Sequence, residues 1–233
     1  MTSWLDRTEL LLGHDAIEQL ARAHVAVFGV GGVGGFAIEA LARSGIGQLT
    51  IVDSDAVDLT NLNRQIIATT ETLGQAKVDV MAQRILSINP NCLVHPRRCF
   101  YLPETANEFD FHSFDYVVDA VDTVTAKLQL IEEAQRCNTP IICSMGAANK
   151  LDPTAFTVAD IYDTSACPLA KVIRKECRKR GIGYLKVVYS QEPAIKTSSS
   201  SADERPTPGS VAFVPPVAGL ILASEVVKGL VAP

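Results

Sequence analysis

The chain has 233 residues, of which 47% are hydrophobic, 20% charged and only 6% aromatic. This apolar content is enough for a sizeable core, and it excludes intrinsic disorder of the chain as a whole. The 21 basic and 26 acidic side chains give a net charge of −5. That sum excludes a uniformly basic nucleic-acid-binding protein but is compatible with a local basic patch.

The ends of the chain do not have the pattern of targeting segments. Residues 1–15 contain no long apolar run, which a secretory signal peptide would need. The longest apolar stretch, Val211 to Ala223, covers 13 residues and includes two prolines, whereas a membrane-spanning helix needs about 20. The six cysteines are scattered and form no Cys-x-x-Cys pair, which is typical of reduced thiols. We therefore expect a cytoplasmic protein outside the membrane.

Strands and helices alternate over residues 1–150. A β-branched run at 24–28 precedes a glycine-rich turn, and apolar spacing predicts a helix over 36–44. The further predicted elements, in chain order, are a strand at 49–52, a helix at 77–89, strands at 92–95 and 116–119, a helix at 126–136 and a strand at 140–143. This alternation predicts an α/β fold with a doubly wound, mostly parallel Rossmann-like sheet and a nucleotide-binding domain over residues 1–150.

The pattern changes after Asp152. The sequence predicts a basic helix from about 168 to 180, a strand at 184–189 and an apolar helix within 211–231 that ends near Gly229. The stretch 195–210 is rich in Ser and Pro, which is typical of a mobile loop. We expect residues 151–233 to form a smaller C-terminal extension of the same domain.

A glycine-rich loop follows the first predicted strand. Gly29, Gly31 and Gly34 fit G-x-G-x-x-G between a strand and a helix, where backbone N–H groups and the helix N-terminus bind phosphate. Asp53 ends the second strand 19 residues after Gly34, where an acid meets ribose hydroxyls. The loop alone does not discriminate between NAD, FAD and ATP. Only 83 residues follow residue 150, which is short for the substrate domain of a dehydrogenase.

The polar run 53–65 favours a triphosphate. It contains three carboxylates and Arg64, and Lys77 begins the next predicted helix. An arginine and a lysine beside a nucleotide can bind phosphates and stabilise charge on the α-phosphate, and carboxylates can organise Mg²⁺. On residue types alone, two solvated surface charges remain the alternative for Arg64 and Lys77.

These motifs together resemble the E1-like adenylating enzymes, which include ubiquitin-activating enzymes and bacterial ThiF/MoeB-type proteins. The matching motifs are Gly29-x-Gly-Gly-x-Gly34, Asp53-x-Asp, Asn61-Leu-x-Arg-Gln65, Gly74-x-x-Lys77 and Asp119-x-x-Asp122. The resemblance implies ATP and Mg²⁺ as cofactors. It assigns Gly29, Gly31, Gly32 and Gly34 to the phosphate loop, Asp53 to the ribose, Asn61, Arg64 and Lys77 to the triphosphate, and Asp122 to Mg²⁺·ATP. Arg64, Lys77 and Asp122 are thereby the candidate catalytic residues.

The same resemblance implies a homodimer in which Arg7 completes the partner's ATP site. The zinc-binding Cys-x-x-Cys pairs of many sulfur-carrier activators are missing here. Over its full length the chain instead resembles the tRNA threonylcarbamoyladenosine dehydratases. The stretches that carry this likeness are 7–13, 168–174, 186–190 and 209–220.

The second resemblance implies ATP-dependent cyclisation of N6-threonylcarbamoyladenosine at position 37 of tRNA, through an acyl-adenylate. Adenylation of the C-terminus of a small ubiquitin-like sulfur carrier is the alternative, and a nucleotide-sensing module without turnover is a third interpretation. A partner from a cysteine-desulfurase or sulfur-acceptor system stays open.

A local basic segment supports tRNA as the partner. Residues 171–186 contain seven basic side chains and one acid. Helical spacing places Lys171, Arg174, Lys175 and Arg178 on one face, followed by Lys179, and a one-faced basic stripe suits a phosphate backbone. The alternative is an ordinary solvated amphipathic helix.

Two cysteines are candidate thiols for a sulfur-dependent step. Cys143 closes a predicted strand near the nucleotide, and Cys167 lies in a predicted loop. A buried structural role is nevertheless the commoner one for a free cysteine. The four histidines form no cluster in the sequence, and we expect structural roles for them.

Overall fold

The structure is a computed structural model that describes residues 3–196 and 208–232. Seven strands form one sheet. They are β1 His24–Phe28, β2 Gln48–Val52, β3 Leu93–Arg97, β4 Tyr116–Asp119, β5 Ile141–Ser144, β6 Phe156–Asp160 and β7 Lys186–Ser190. Their order across the sheet is β3-β2-β1-β4-β5-β7-β6, and every neighbouring pair is parallel except β6 and β7. The predicted α/β fold with a mostly parallel Rossmann-like sheet is confirmed.

Seven α-helices accompany the sheet in the described part of the chain. They are α1 Asp6–Leu12, α2 His14–Arg22, α3 Gly34–Arg43, α4 Lys77–Ile88, α5 Val124–Cys137, α6 Pro168–Lys179 and α7 Val214–Val231. Buried side chains of α3, α4 and α7 pack on one side of the sheet around Val25 and Val27. On the other side, α5 packs with an aromatic cluster around Phe28.

Two edge strands depart from the sequence pattern. β6 was not predicted from the sequence, and it is the antiparallel edge strand of the sheet. β3 forms the opposite edge and contains Pro96, which lacks an N–H and is therefore tolerated where only one neighbour must be paired. The predicted strand ends at residue 95, whereas β3 extends to Arg97, because the exposed residues of this strand give only a weak apolar pattern in the sequence.

Helix α7 is long and apolar enough, by length and composition, to cross a membrane, with a mean hydropathy of 1.6. Half of it is buried inside the protein, and its main neighbour is α3. Gly219 lets the two helices approach, because a Cβ there would overlap the carbonyl oxygen of Val33. Two prolines occupy its first turn, where their missing N–H groups cost little.

The flanks of the predicted loop 195–210 are tied to one asparagine. Asn149 accepts a hydrogen bond from the backbone N–H of Ile195 at 2.8 Å, and its side chain accepts one from Gly209 at 2.6 Å. Residues 197–207, where mobility was predicted, lie outside the described residues.

Because β7 pairs with β5 and α7 packs on α3, residues beyond 150 extend the same sheet and core.

The topology fixes where a ligand site belongs. β2 lies next to β1 on one side and β4 lies next to β1 on the other. The order of the strands therefore reverses between β1 and β4. In open parallel sheets, ligands bind outside the carboxyl ends of the strands at such a point. Asp119 ends β4 there, and its fully buried carboxylate pairs with the equally buried Lys127 of α5 at 2.8 Å.

Candidate nucleotide site

A cavity of about 540 Å³ lies at the carboxyl ends of the strands. Its walls include the glycine loop, the polar run after β2, the first residue of α4 and the turn after β4. Residues 99–101, residues 144–148 and the first turns of α6 and α7 also line it. The predicted phosphate loop, ribose acid, Asn61, Arg64, Lys77 and Asp122 thus share one cavity.

The glycine loop requires residues without side chains. Gly29 has a φ of +94°, and a Cβ there would lie 2.7 Å from the carbonyl oxygen of Ala120. A Cβ on Gly34 would overlap the carbonyl oxygen of Gly29, so the start of α3 could not lie against the end of β1. Gly31 and Gly32, which lie between Gly29 and Gly34 in the loop, line the cavity and leave their backbone N–H groups accessible to a phosphate.

Asp53 is fixed against this loop. Its Oδ2 accepts the backbone N–H of Val30 at 2.7 Å, and its Oδ1 accepts the N–H of Asp55 at 2.9 Å. A carboxylate has about four acceptor positions, so two remain for hydroxyl donors. This geometry suits the pair of ribose hydroxyls that the sequence predicts at Asp53.

Asn61 is the last residue of a short 3₁₀ helix, Leu59–Asn61, that Asp58 caps with its side chain, and Arg64 follows this helix. Asn61 is buried, and its Oδ1 accepts the backbone N–H of Asp58 at 3.2 Å. The Arg64 guanidinium donates through Nη1 to the carbonyl oxygen of Thr60 at 2.8 Å. No carboxylate lies within ion-pair distance of Arg64 in the described part of the chain, so its positive charge is available to an anion.

Lys77 is held at the cavity by Asp55. It is the first residue of α4, its side chain is only 7% exposed, and its Nζ lies 2.8 Å from Asp55 Oδ2. The backbone N–H of Lys77 also donates to the Asp55 carbonyl oxygen at 3.0 Å. A lysine buried in this way is not a solvated surface charge, which excludes that alternative for Lys77.

The two acids of the Asp119-x-x-Asp122 motif have different environments. Asp119 is fully buried, and its Oδ1 also accepts the N–H of Val121 at 3.1 Å. Asp122 is exposed and lines the cavity, with Thr123 Oγ1 at 3.4 Å from its Oδ1. Asp119 therefore positions the turn, while Asp122 offers a carboxylate to a ligand.

Arg7 lies away from the cavity of its own chain. It is exposed on α1, and the neighbouring Leu5 packs against Gly45, just beyond the C-terminal end of α3. The cavity is at the N-terminal end of α3, about 15 Å along a helix of this length. The site residues predicted to lie beside Arg7 are those of a partner copy, not those of its own chain.

The basic residues that the sequence predicts on one face of α6 differ in their contacts. Arg174 turns inward, and its Nη1 donates to the carbonyl oxygen of Thr164 at 2.7 Å. Lys179 pairs with Glu176 at 2.6 Å, and hydrogen bonds from Lys179 and Arg180 lower the Glu176 pKa to about 2. The Arg178 guanidinium lies 5.3 Å from the centre of the Tyr162 ring. Lys171, Lys175 and Arg178 remain exposed.

The thiols singled out in the sequence are buried. Cys143 is fully buried, and burial together with the adjacent Asp119 carboxylate raises its pKa well above the usual range. Such a thiol stays protonated and is a poor nucleophile. Cys167 is also buried. The half-buried Cys99 lines the cavity instead, and burial, with a contribution from Glu108, raises its pKa.

Other cavity residues had no role in the sequence prediction. Gln65, the last residue of the Asn61-to-Gln65 motif, is buried at the cavity, and Phe100 is a half-exposed aromatic residue there. Residues 144–148 include the last residue of β5 and the turn after it, and their position at the end of a parallel strand is the signal that could place them here.

The comparisons with known proteins show the family to which this chain belongs. The sequence profile of the ThiF family matches residues 5–233. The chain belongs to the ThiF family. This ThiF-family chain is 46% identical to the tRNA threonylcarbamoyladenosine dehydratase of Bacillus subtilis, over 99% of its length and 95% of that protein. It is 32% identical to the sulfur carrier protein adenylyltransferase of Thermus thermophilus, over 60% of its length and 51% of that protein.

A solved structure extends the likeness to three dimensions. The Escherichia coli tRNA N6-threonylcarbamoyladenosine dehydratase in complex with ATP matches with a TM-score of 0.89 and 35% identity. The match covers 97% of this ThiF-family chain and 93% of that chain.

Cysteine labelling tests the geometry of the cavity. With iodoacetamide on the folded protein, we expect no modification of Cys143, because its thiol is buried and protonated. ATP, the nucleotide that the sequence predicts, should slow labelling of Cys99, which lines the cavity. Cys137, which is also half-buried but does not line the cavity, is the control. Mass spectrometry of peptides measures each rate, and equal Cys99 rates with and without saturating ATP would place the nucleotide elsewhere.

Proposed function

We propose that this protein is an ATP-dependent enzyme that cyclises N6-threonylcarbamoyladenosine at position 37 of tRNA, with loss of water. The observation that carries the proposal is the 46% identity to the Bacillus subtilis tRNA threonylcarbamoyladenosine dehydratase over nearly the full length of both proteins. The arrangement of Asp53, Arg64 and Lys77 around one glycine loop supplies the chemistry that such a reaction needs.

The first step joins the substrate carboxylate to AMP. With the ribose at Asp53, the α-phosphate lies at the glycine loop and the outer phosphates extend toward Arg64 and Lys77. A threonyl carboxylate oxygen attacks the α-phosphorus, the bond from this phosphorus to the bridging oxygen breaks, and pyrophosphate leaves. Arg64 and Lys77 stabilise the negative charge that develops on the phosphates, which is the largest contribution that such residues make to catalysis.

The second step closes the ring. The carbamoyl oxygen, or nitrogen in the alternative ring, attacks the acyl carbon, and the bond to the AMP oxygen breaks. The oxygen lost from the substrate departs on AMP, and the proton lost from the carbamoyl nitrogen passes to solvent. Because both reacting groups belong to one side chain, the protein mainly has to hold that side chain in place and gains the advantage of an intramolecular reaction.

The carboxylates at the cavity fit a magnesium nucleotide. Asp53, Asp55 and the exposed Asp122 all line it, and in the described residues no cluster of three metal-ligating side chains exists. Mg²⁺ is usually bound by one or two carboxylates together with substrate phosphates, so this donor set suits it, with Asp122 as the protein ligand. When bound, Mg²⁺ would neutralise phosphate charge.

The protein is proposed to be cytoplasmic, where its substrate tRNA is found. No step of this scheme uses a thiol, and Cys143 and Cys167 are both buried. A partner from a cysteine-desulfurase or sulfur-acceptor system is therefore left out of the proposal.

Substitution of the two cationic residues tests the reaction. Arg64→Ala and Lys77→Ala should each lower turnover by about 10²–10³, the usual effect of removing one electrostatic stabiliser, and leave tRNA affinity unchanged. The assay measures AMP and pyrophosphate from ATP with either modified tRNA or a ubiquitin-like sulfur carrier. Arg43→Ala is a control that should keep wild-type turnover, because Arg43 is exposed at the C-terminal end of α3 and does not line the cavity. Release of ADP, or stimulation by the carrier alone, would contradict the proposal.

We propose that the exposed face of α6 binds the tRNA backbone. We call Lys171, Lys175, Arg178 and Lys179 the α6 basic patch. Leu169, in the first turn of α6, lines the cavity, so the α6 basic patch leads away from its edge. Arg174, included in the predicted stripe, stabilises the loop at Thr164 instead. Its positive charge adds to the attraction of tRNA, but its side chain does not contact the phosphates.

Charge reversal tests the α6 basic patch. Changing Lys171, Lys175 and Arg178 to Glu should weaken tRNA binding and lower the slope of log K against log salt by about two, because each phosphate contact contributes about 0.7–0.9. Reversal of Arg22, Arg136 and Lys228, three exposed residues on other helices, gives the same net charge and should leave the slope unchanged. Equal slopes for both triple variants would show that the patch is an ordinary solvated surface.

We propose a homodimer in which Arg7 reaches the ATP site of the partner. Arg7 is exposed and remote from the cavity of its own chain, so it could complete a site only in a second copy. Leu10 and Leu11 beside it on α1 are 86% and 87% exposed, which is unusual for leucine and provides apolar surface for such a contact.

Mixing two inactive variants tests this arrangement. Arg7→Ala and Lys77→Ala proteins should each be inactive, whereas mixed dimers contain one site with both residues intact. After subunit exchange, activity should recover to about a quarter of wild type, because half of the dimers are mixed and each has one working site. The matched control mixes Lys77→Ala with Arg64→Ala, another loss of an arginine. Both residues line the cavity of one chain, so every site in the mixed dimer lacks one of them and no activity should be restored. No recovery with Arg7→Ala would contradict a site shared between subunits.

A further inference from the structure

Part of the cavity wall lies away from the residues assigned to the nucleotide. Residues 144–148 lie at the end of β5, and Leu169, Pro208 and Ser210 line the cavity with them. We call this set the β5-side wall. In the sheet, β5 is three strands away from β2, which ends beside Asp53. At a strand spacing of about 4.8 Å, the β5-side wall is therefore about 14 Å from the position of the ribose.

The β5-side wall carries no charge in its described residues, which are Ser, Met, Gly, Ala, Leu and Pro. A triphosphate is bound by cations, and the cations of this cavity, Arg64 and Lys77, lie on the side of the glycine loop and β2. An uncharged wall suits a neutral organic group, such as the methyl and carbamoyl parts of a threonylcarbamoyl side chain. The substrate whose carboxylate attacks the α-phosphorus therefore belongs on this side.

One asparagine joins two segments of the β5-side wall. Asn149 directly follows the wall residue Ala148, and its φ of +59° is a left-handed conformation that asparagine adopts more readily than most residues. Its Oδ1 accepts the backbone N–H of Gly209, which lies between two wall residues, at 2.6 Å. Its own carbonyl oxygen accepts the N–H of Ile195 at 2.8 Å. A single residue thus ties the end of β5 to the segment that precedes α7.

The segment 208–210 has a second attachment on its other side. The Ser210 carbonyl oxygen accepts a hydrogen bond from Nδ2 of Asn63, in the segment after β2, at 3.0 Å. The Asn149 bond therefore sets the distance between this segment and the end of β5, while the Asn63 bond holds it beside the nucleotide. Loss of the Asn149 bond would release the segment from β5 alone.

We propose that Asn149 is a positioning residue for the substrate that supplies the carboxylate. Its amide oxygen holds Pro208 and Ser210 at the distance from Ala148 that the threonylcarbamoyl side chain requires, and Asn149 itself does not line the cavity. A wall that is already ordered lowers the entropy cost of substrate binding. The identity of the substrate rests on the proposed function, whereas the contact rests on the hydrogen bonds of Asn149.

Asn149→Gly separates the side-chain contact from the backbone conformation. Glycine adopts the positive φ without strain and keeps the carbonyl oxygen, so only the bond to Gly209 is lost. The KM for modified tRNA should rise by about 3- to 10-fold, the usual effect of one hydrogen bond. The dissociation constant of ATP should stay at the wild-type value, because the nucleotide binds on the other side of the cavity. AMP formation over a tRNA titration and calorimetry with ATP measure the two constants.

Two further variants complete the test. Asn149→Asp keeps an oxygen that can accept the Gly209 N–H and tolerates the positive φ, so it should keep the KM for modified tRNA near the wild-type value. Asn138→Gly is the matched control. Asn138 also has a positive φ, +55°, but it follows α5 at the end away from the cavity, and its side chain makes no hydrogen bond to the described residues. This control should leave both constants unchanged.

The outcomes distinguish the positioning function from the proposed reaction. If the wild-type protein cyclises modified tRNA and Asn149→Gly keeps its KM, the assignment is overturned and the proposed reaction stands. Equal losses of ATP and tRNA binding in Asn149→Gly would show a merely structural role and also overturn the assignment. If the wild type formed AMP only with a sulfur carrier, the proposed function would fail. The positioning function would then stand if Asn149→Gly alone raised the KM for that carrier, and fall if it did not.

Discussion

The parallel arrangement of the central strands is the constraint on which the rest of the structure depends. Because β1, β2, β4 and β7 point the same way, the helices that follow them, α3, α4, α5 and α7, begin at one edge of the sheet. The cavity lies at the starts of these four helices, and α6 also begins there. Each helix N-terminus carries a partial positive charge of about half a unit. The fold therefore creates a region suited to anions before any charged side chain is added, and Arg64 and Lys77 reinforce it.

The buried pair of Asp119 and Lys127 is part of the same design. A fully buried lysine is tolerated only because the carboxylate at the end of β4 compensates its charge. The pair ties the start of α5 to the end of β4 and leaves Asp122, three residues later, free at the cavity. Burial is the main cause that raises the pKa of the adjacent Cys143 thiol and keeps it protonated, and the Asp119 carboxylate adds to this effect, which explains why a cysteine so near the nucleotide site takes no part in the proposed reaction.

Local signals allowed the nucleotide half to be predicted from the sequence. Gly29 and Gly34 mark close backbone approaches, and Asp53 ends a strand, so each has a physical role that neighbouring residues reveal. Three features could not be read in this way. The inward turn of Arg174 depends on Thr164, the side-chain bond of Asn149 joins residues 60 positions apart, and the distance of Arg7 from the cavity depends on the whole fold. Helical spacing predicts Arg174 on the same exposed face as its neighbours, because spacing contains no information about a contact with a residue outside the helix.

If Lys77 binds phosphate as proposed, its ion pair with Asp55 has a consequence for the release of products. Asp55 is 60% exposed and already occupies the lysine before a phosphate arrives, so an incoming phosphate must compete with it. The same competition acts when pyrophosphate departs, because the carboxylate replaces it at the ammonium. Affinity for the substrate and affinity for this product are lowered together, and binding that is equally strong for both would not accelerate the reaction. A lysine with its own internal anion can thus attract a triphosphate without retaining the pyrophosphate that the reaction leaves behind.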